Sequence, residues 1–284
     1  MRPYLSEIAM SRAADLVYRQ DDAKPGRAAM LKTGFAMAVA ATCAALPALA
    51  AGHEDDAAQE EVHAMPEITI YHLEGRRSER IVWLMEELGL PYTLEYARGD
   101  LMGSMAKIRA VNPAMPVAPT VTVGDEVLME SGAIIQAILD RYAPGQLTPD
   151  IQSPAYPKHL MWMHYAEGSL AARAIADYRV WMIKPPTERS RLVDSGRAVQ
   201  FAEDHLAAHD YFGGEAFSAA DIMMLFPLNF ATKLNIVDEA DYPNVAAWTA
   251  RVTARPAYQR MLSAARPDGM IGNLPPLKAN APEE

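Results

Sequence analysis

Glu130 and Ser131 stand where two strand-forming runs give way to a helix. Pro119 to Val123 and Glu126 to Met129 are rich in β-formers, and Gly124-Asp125 between them is a two-residue link with glycine first, a hairpin signal. Beyond Ser131, the residues Ala133, Ile134, Ile135, Ala137, Ile138 and Leu139 recur with helical spacing and predict a helix over Gly132 to Tyr142. The free N–H groups of a helix start favour an anion or a carboxylate. A carboxylate and a hydroxyl at that junction therefore suit one end of a small peptide. Ser131 taken alone also fits a plain N-cap, since serine is a leading cap residue.

With 284 residues, 50% of them hydrophobic, the chain can build one large or two modest domains. Its net charge of −10 argues against a nucleic-acid surface, which needs clustered Lys and Arg. A small molecule or a protein is the expected partner. The single cysteine, Cys43, lies in an Ala-rich stretch outside every segment that reads as core. Disulfides, thiolate metal sites and cysteine nucleophiles are thereby excluded from that core. His164 has no His or Cys neighbour at ligand spacing, and no metal is expected.

Residues 1–64 differ from the rest. Gly34 to Leu46 is small and apolar, Arg27 and Lys32 precede it, and Ala48-Leu49-Ala50 follows the pattern of a cleavage site. This resembles a secretory signal and is too short to span a membrane as a helix. An acidic linker-like stretch, Glu54 to Glu61, follows. Against export, residues 1–29 carry Glu7, Asp15, Asp21 and Asp22, and the folded pattern begins at Met65-Pro66-Glu67-Ile68. The favoured reading is a start set too far upstream and a cytoplasmic protein without membrane association; export is the alternative.

From Met65 the pattern runs strand, helix, strand, helix, strand, strand, helix. Ile68 to Tyr71 alternates as a strand. Ser78 is a plausible N-cap for a helix carrying Ile81, Leu84, Met85 and Leu88, which Gly89 and Pro91 stop. Tyr92 to Tyr96 reads as a strand and Ser104 to Val111 as a weaker helix, before a proline-rich loop reaching Pro119. After a linker at Pro144-Gly145 and Pro149, only helices are expected: Tyr156 to Met182, Glu188 to His209, Ser218 to Phe230 and Asn244 to Arg255. Ser218 and Asp221 have capping-box spacing. The organisation is thus an N-terminal extension (1–64), an α/β domain (65–143), an all-α domain (150–266) and a tail (267–284).

Several stretches in this order and spacing resemble the soluble glutathione S-transferase family, in its bacterial and fungal theta-like branch. They are Arg80 to Tyr92, Asn112-Pro113 leading to Pro119, Glu130 to Ile135, Phe217 to Ile222, and Tyr242-Pro243 through Tyr258. The resemblance implies an α/β thioredoxin-like N-terminal domain that binds glutathione, followed by an all-α helical C-terminal domain for the acceptor, and a homodimer. It makes Pro119 a cis-proline, with Ala118 or Val117 pairing its backbone with the cysteinyl part of glutathione. Glu130 would receive the γ-glutamyl ammonium, and Ser131 with its helix start the carboxylate.

The resemblance also implies a group that stabilises the glutathione thiolate, the form that attacks. Tyr71, at the end of the first strand, could donate a hydrogen bond to sulfur. Ser78 could do so from a helix start, and Arg77 would lend positive charge. Tyr71 and Ser78 stand as alternatives, with Arg77 as support. The implied activity is conjugation of glutathione to a hydrophobic electrophile. Lyase, isomerase or peroxidase chemistry, or a noncatalytic binding module on the same fold, are the alternatives. The acceptor pocket is expected to draw on Met161, Trp162, His164, Tyr165, Arg173, Tyr178, Trp181 and Met182.

Overall fold

Alternation of Ile68 and Ile70 with Thr69 and Tyr71 makes β1 (Ile68–Tyr71) a strand with one fully buried face. The computed structural model describes residues 65–183, 194–269 and 274–277. The signal-like run, Cys43, the acidic stretch and the expected helix start at Glu188 lie outside them. β1 pairs in parallel with β2 (Thr93–Glu95) and antiparallel with β3 (Thr120–Val123), which pairs antiparallel with β4 (Glu126–Met129), giving the sheet order β2-β1-β3-β4. Gly124 supplies the positive φ of 57° at the hairpin link. Helices α1 (Glu79–Leu88), α2 (Leu101–Val111) and α3 (Ser131–Tyr142) complete the expected strand–helix order.

Register positions the site. Tyr71 lies opposite Thr120, and Thr120 opposite Met129, so the ends of β1 and β4 and the start of β3 share one end of the sheet. Pro119 immediately precedes that row and Glu130 immediately follows it.

The loop from β1 to α1 is anchored from within. Ser78 makes no N-cap bond, contrary to the sequence reading. Its buried hydroxyl accepts from Leu73 N–H at 3.0 Å and lies 2.9 Å from His72 Nδ1. His72 Nε2 sits 2.8 Å from the carbonyl of Ala265, which can only accept, so Nε2 carries the proton and Nδ1 accepts from Ser78. Burial lowers the His72 pKa, in keeping with that neutral tautomer. Glu79 adds a second anchor: it accepts from Gly75 N–H and forms a two-pronged ion pair with Arg266.

The rest is helical: α4 (Tyr156–Tyr165), a π-helical turn (Ala166–Ala171), α5 (Ala172–Ile183), α6 (Ser195–Leu206), α7 (Ala219–Lys233), α8 (Pro243–Thr253) and α9 (Pro256–Ala265). The predicted capping box starts α7, and Asp221 also accepts from Phe212 N–H and the Trp248 indole. Helix α9 was not expected. Pro256 opens it at a position where proline's missing N–H is no loss. Part of the predicted tail is packed: Leu277 is buried, its N–H bonds the Leu234 carbonyl, and Tyr178 donates to the Pro275 carbonyl. No helix among the described residues is long and apolar enough to cross a membrane.

Ser78→Ala removes the hydroxyl that pairs the buried His72 Nδ1 and the part-buried Leu73 N–H, so it should lower unfolding stability by about 1–3 kcal/mol in urea titrations. His159 on α4 is buried beside the Tyr156 ring, and burial pushes its imidazole down to about 4. A lowered histidine pKa means stability that is complete above pH ~6.5 and lost as pH falls toward 4. A stability profile over that range should be flatter for His159→Phe than for the wild type, by on the order of 2 kcal/mol at the acid end.

Candidate functional site

The peptide bond between Ala118 and Pro119 is cis. The Val117 carbonyl accepts from Thr120 Oγ1 at 2.7 Å, whereas Ala118 has no hydrogen bond to any described residue. Of the two residues named before β3, Ala118 is therefore the one whose N–H and C=O are both open. Glu130 is held at φ 72°, ψ 112°, a conformation strained by about 1–3 kcal/mol for a residue with a side chain. Its carboxylate is exposed and bonded to no described residue. Ser131 follows as the first residue of α3, buried, with Oγ accepting from Arg80 Nη1 at 3.3 Å.

Arg80 was quoted in the sequence reading without a role, yet it organises this corner. Its guanidinium is only 3% exposed, and burial pushes its pKa down to about 10. It donates to Ser131, to Glu167 and to the Met223 carbonyl of α7. Glu167 comes from the π-helical turn and also accepts from Arg77 Nε at 2.9 Å. Burial alone would raise the Glu167 pKa, but Arg80 and Arg77 override it and keep the carboxyl ionised below the usual range. The sequence signal for Glu167 is slight: a glycine, Gly168, beside it within a predicted helix.

The three residues proposed to meet the thiolate fare differently. Tyr71 is half-buried at the sheet end, and its hydroxyl bonds no described residue. Ser78 is fully buried with its hydroxyl engaged by His72 and Leu73, which leaves it no capacity for a ligand sulfur. Arg77 is tied to Glu167, and its guanidinium lies 5.1 Å from the Phe226 ring centroid, so it faces the helical domain.

A cleft of about 500 Å³ opens beside this loop. Its walls are Gly75 and Arg76 of the loop, Trp83 of α1, Leu225, Phe226, Phe230 and Lys233 of α7, Tyr258 of α9, and Leu274 and Pro276 beyond. None of the residues of α4 and α5 expected to form the acceptor pocket lines it. Trp162 instead packs in the core against Tyr165, Phe201, His205 and Phe212, and Tyr178 packs against Phe230. Among the described residues, no group of three or more His, Cys, Asp or Glu side chains is arranged to hold a metal.

Residues 70–146 match the family model for the glutathione S-transferase N-terminal domain, and residues 184–256 that for its C-terminal domain. Glutathione S-transferase 3 of Schizosaccharomyces pombe is 30% identical over 207 residues, or 67% of this chain and 84% of that protein. A solved glutathione S-transferase of Actinobacillus pleuropneumoniae is 31% identical with a TM-score of 0.62, over 72% of this chain and 94% of that one. The theta class enzyme of Xanthomonas axonopodis pv. citri, solved with glutathione bound, is 30% identical with a TM-score of 0.54, over 69% of this chain and 97% of that one. With both domain models matched in order and relatives at this identity over most of their length, the chain belongs to the glutathione S-transferase family.

Proposed function

We propose that the protein is a glutathione transferase that binds glutathione along the edge from Ala118 to Ser131 and presents it as a thiolate to a hydrophobic electrophile in the adjoining cleft. The observation that carries this reading is the convergence, at one end of the sheet, of the open Ala118 backbone, the strained Glu130 and the helix start at Ser131. In this reading Ala118 N–H and C=O pair with the cysteinyl unit, and the Glu130 carboxylate takes the γ-glutamyl ammonium. Because Arg80 donates to Ser131 Oγ, the serine keeps its own hydrogen for the γ-glutamyl carboxylate, beside the N–H groups of α3.

Tyr71 is the thiolate donor in this reading, not Ser78. A phenol O–H aimed at sulfur favours the charged form and lowers the thiol pKa. Arg77, shared with Glu167, adds a weaker electrostatic contribution. The thiolate then attacks the electrophilic carbon, a C–S bond forms, and the leaving group departs with its bonding pair. Thiolytic lyase, isomerase or peroxidase chemistry would use the same bound thiolate. The homodimer belongs to this reading too, and light scattering of the purified protein tests it.

The decisive experiment is ultraviolet titration of bound glutathione in the wild type and Tyr71→Phe. A hydrogen bond to a charged group is worth about 1.5–3 kcal/mol, so the variant should raise the bound thiol's pKa by about one to two pH units. It should also lower kcat/KM about 10- to 100-fold. An unchanged titration removes Tyr71 from the role. Glutathione bound without thiolate at neutral pH makes the protein a noncatalytic binding module.

A further inference from the structure

Proline is tolerated where a helix begins, and Pro157, Pro243 and Pro256 stand in the first turns of α4, α8 and α9. Pro227 departs from that pattern. It is buried midway along the 15 residues of α7. A proline there lacks the N–H that the carbonyl four residues earlier would receive, and its ring presses on that carbonyl. In α7 the carbonyl so released belongs to Met223. Carbonyls of an uninterrupted helix point along the axis into the next turn, so release from that direction favours a donor approaching from another helix. Arg80 Nη2 of α1 takes the Met223 carbonyl at 2.5 Å.

The same turn of α7 supports Arg80 a second time. Phe226, immediately before the proline, places its ring centroid 5.3 Å from the Arg80 guanidinium carbon. On the other side, Arg80 Nη1 donates to Glu167 at 2.5 Å and to Ser131 Oγ at 3.3 Å. A guanidinium is planar and rigid, so fixing Nη2 on Met223 also fixes where Nη1 can meet its partners. The Ser131 bond is the longest of the three and depends most on how the other two hold the group. Nε adds no restraint, since it is buried without a bond to any described residue.

We propose that Pro227 is a positioning residue for glutathione: by freeing the Met223 carbonyl for Arg80, it sets Ser131 Oγ for the γ-glutamyl carboxylate. The ligand half rests on the role given to Ser131 above, whereas the link from Pro227 to Arg80 does not. Pro227 is not among the residues lining the cleft, so the effect is on the peptide end and not on the acceptor. In Pro227→Ala the new N–H draws the Met223 carbonyl back into the helix ladder. Pro227→Val does the same while keeping more of the buried volume.

The test compares, by titration calorimetry of the full chain, glutathione with 4-aminobutyryl-cysteinyl-glycine, the same peptide without its γ-glutamyl carboxylate. The wild type should bind glutathione at least about tenfold more tightly, and each variant should cut that preference about three- to tenfold. Binding of the carboxylate-free peptide should change little. Thermal midpoints should hold, because the regained helix bond offsets the lost ring packing. A preference left intact in both variants, or an equal loss for both peptides, overturns the proposal. A wild type with no preference removes the γ-glutamyl reading instead, and Arg80 is then read directly from the nitrogen NMR signals of its guanidinium. Nη signals resolved in the wild type that merge in both variants, as the group regains rotation, uphold the link from Pro227 to Arg80; signals that stay resolved overturn it.

Discussion

A guanidinium withdrawn from water has to be met by partners on several sides, and Arg80 draws them from three separate elements. Ser131 opens the helix that follows the β-hairpin, Glu167 comes from the π-helical turn, and the Met223 carbonyl belongs to the central helix of the other domain. Removing a charge from solvent is unfavourable by several kcal/mol unless partners offset it, and here they meet Nη1 and Nη2, while Nε bonds no described residue. The relative positions of the two domains and of the helix start at Ser131 are therefore coupled through one side chain. The π-helical turn has a physical purpose in this light. A wider turn in an otherwise regular helix re-aims side chains, and here Glu167 from that turn meets both Arg77 and Arg80.

The β1–α1 loop shows a second kind of constraint, made from neutral groups. His72 and Ser78 spend every polar atom on one another, on Leu73 and on Ala265, so the loop that follows Tyr71 is held without charge. The Glu79–Arg266 pair ties the same loop to the end of α9. Tyr71 sits at the edge of this rigid frame with its hydroxyl uncommitted. A donor can be pre-aimed at a ligand only when its surroundings neither claim its proton nor let its backbone wander.

Features governed by near neighbours were legible in the sequence. The hairpin at Gly124, the α1 stop at Gly89 and the Ser218–Asp221 capping box each depend on residues within a few positions, and all three form as read. The cis bond before Pro119 came through the family resemblance, and the order of an α/β part followed by helices came through the strand and helix patterns themselves. What escaped depends on distance along the chain. Glu167 finds Arg80 across 87 positions, and no local pattern announces the pair. Ser78 looks like a cap because it precedes a helix, but His72 and Leu73 compete successfully for its hydroxyl. The aromatic residues of α4 have the spacing of a pocket wall and of a core stripe alike, and Trp162 shows that the core claimed them.

Leu274 and Pro276 form part of the cleft wall although they lie about two hundred positions from Tyr71 in sequence. Among the described residues, the segment 274–277 is tied by one N–H to the end of α7, the Tyr178 and Asn235 hydrogen bonds, and the burial of Leu277. The ends of β1 and β4 and the start of β3 are, by contrast, held in a four-stranded sheet. Under the proposed reading, changes at Leu274 and Pro276 can reshape what the cleft admits while leaving the strand ends and Ser131 untouched.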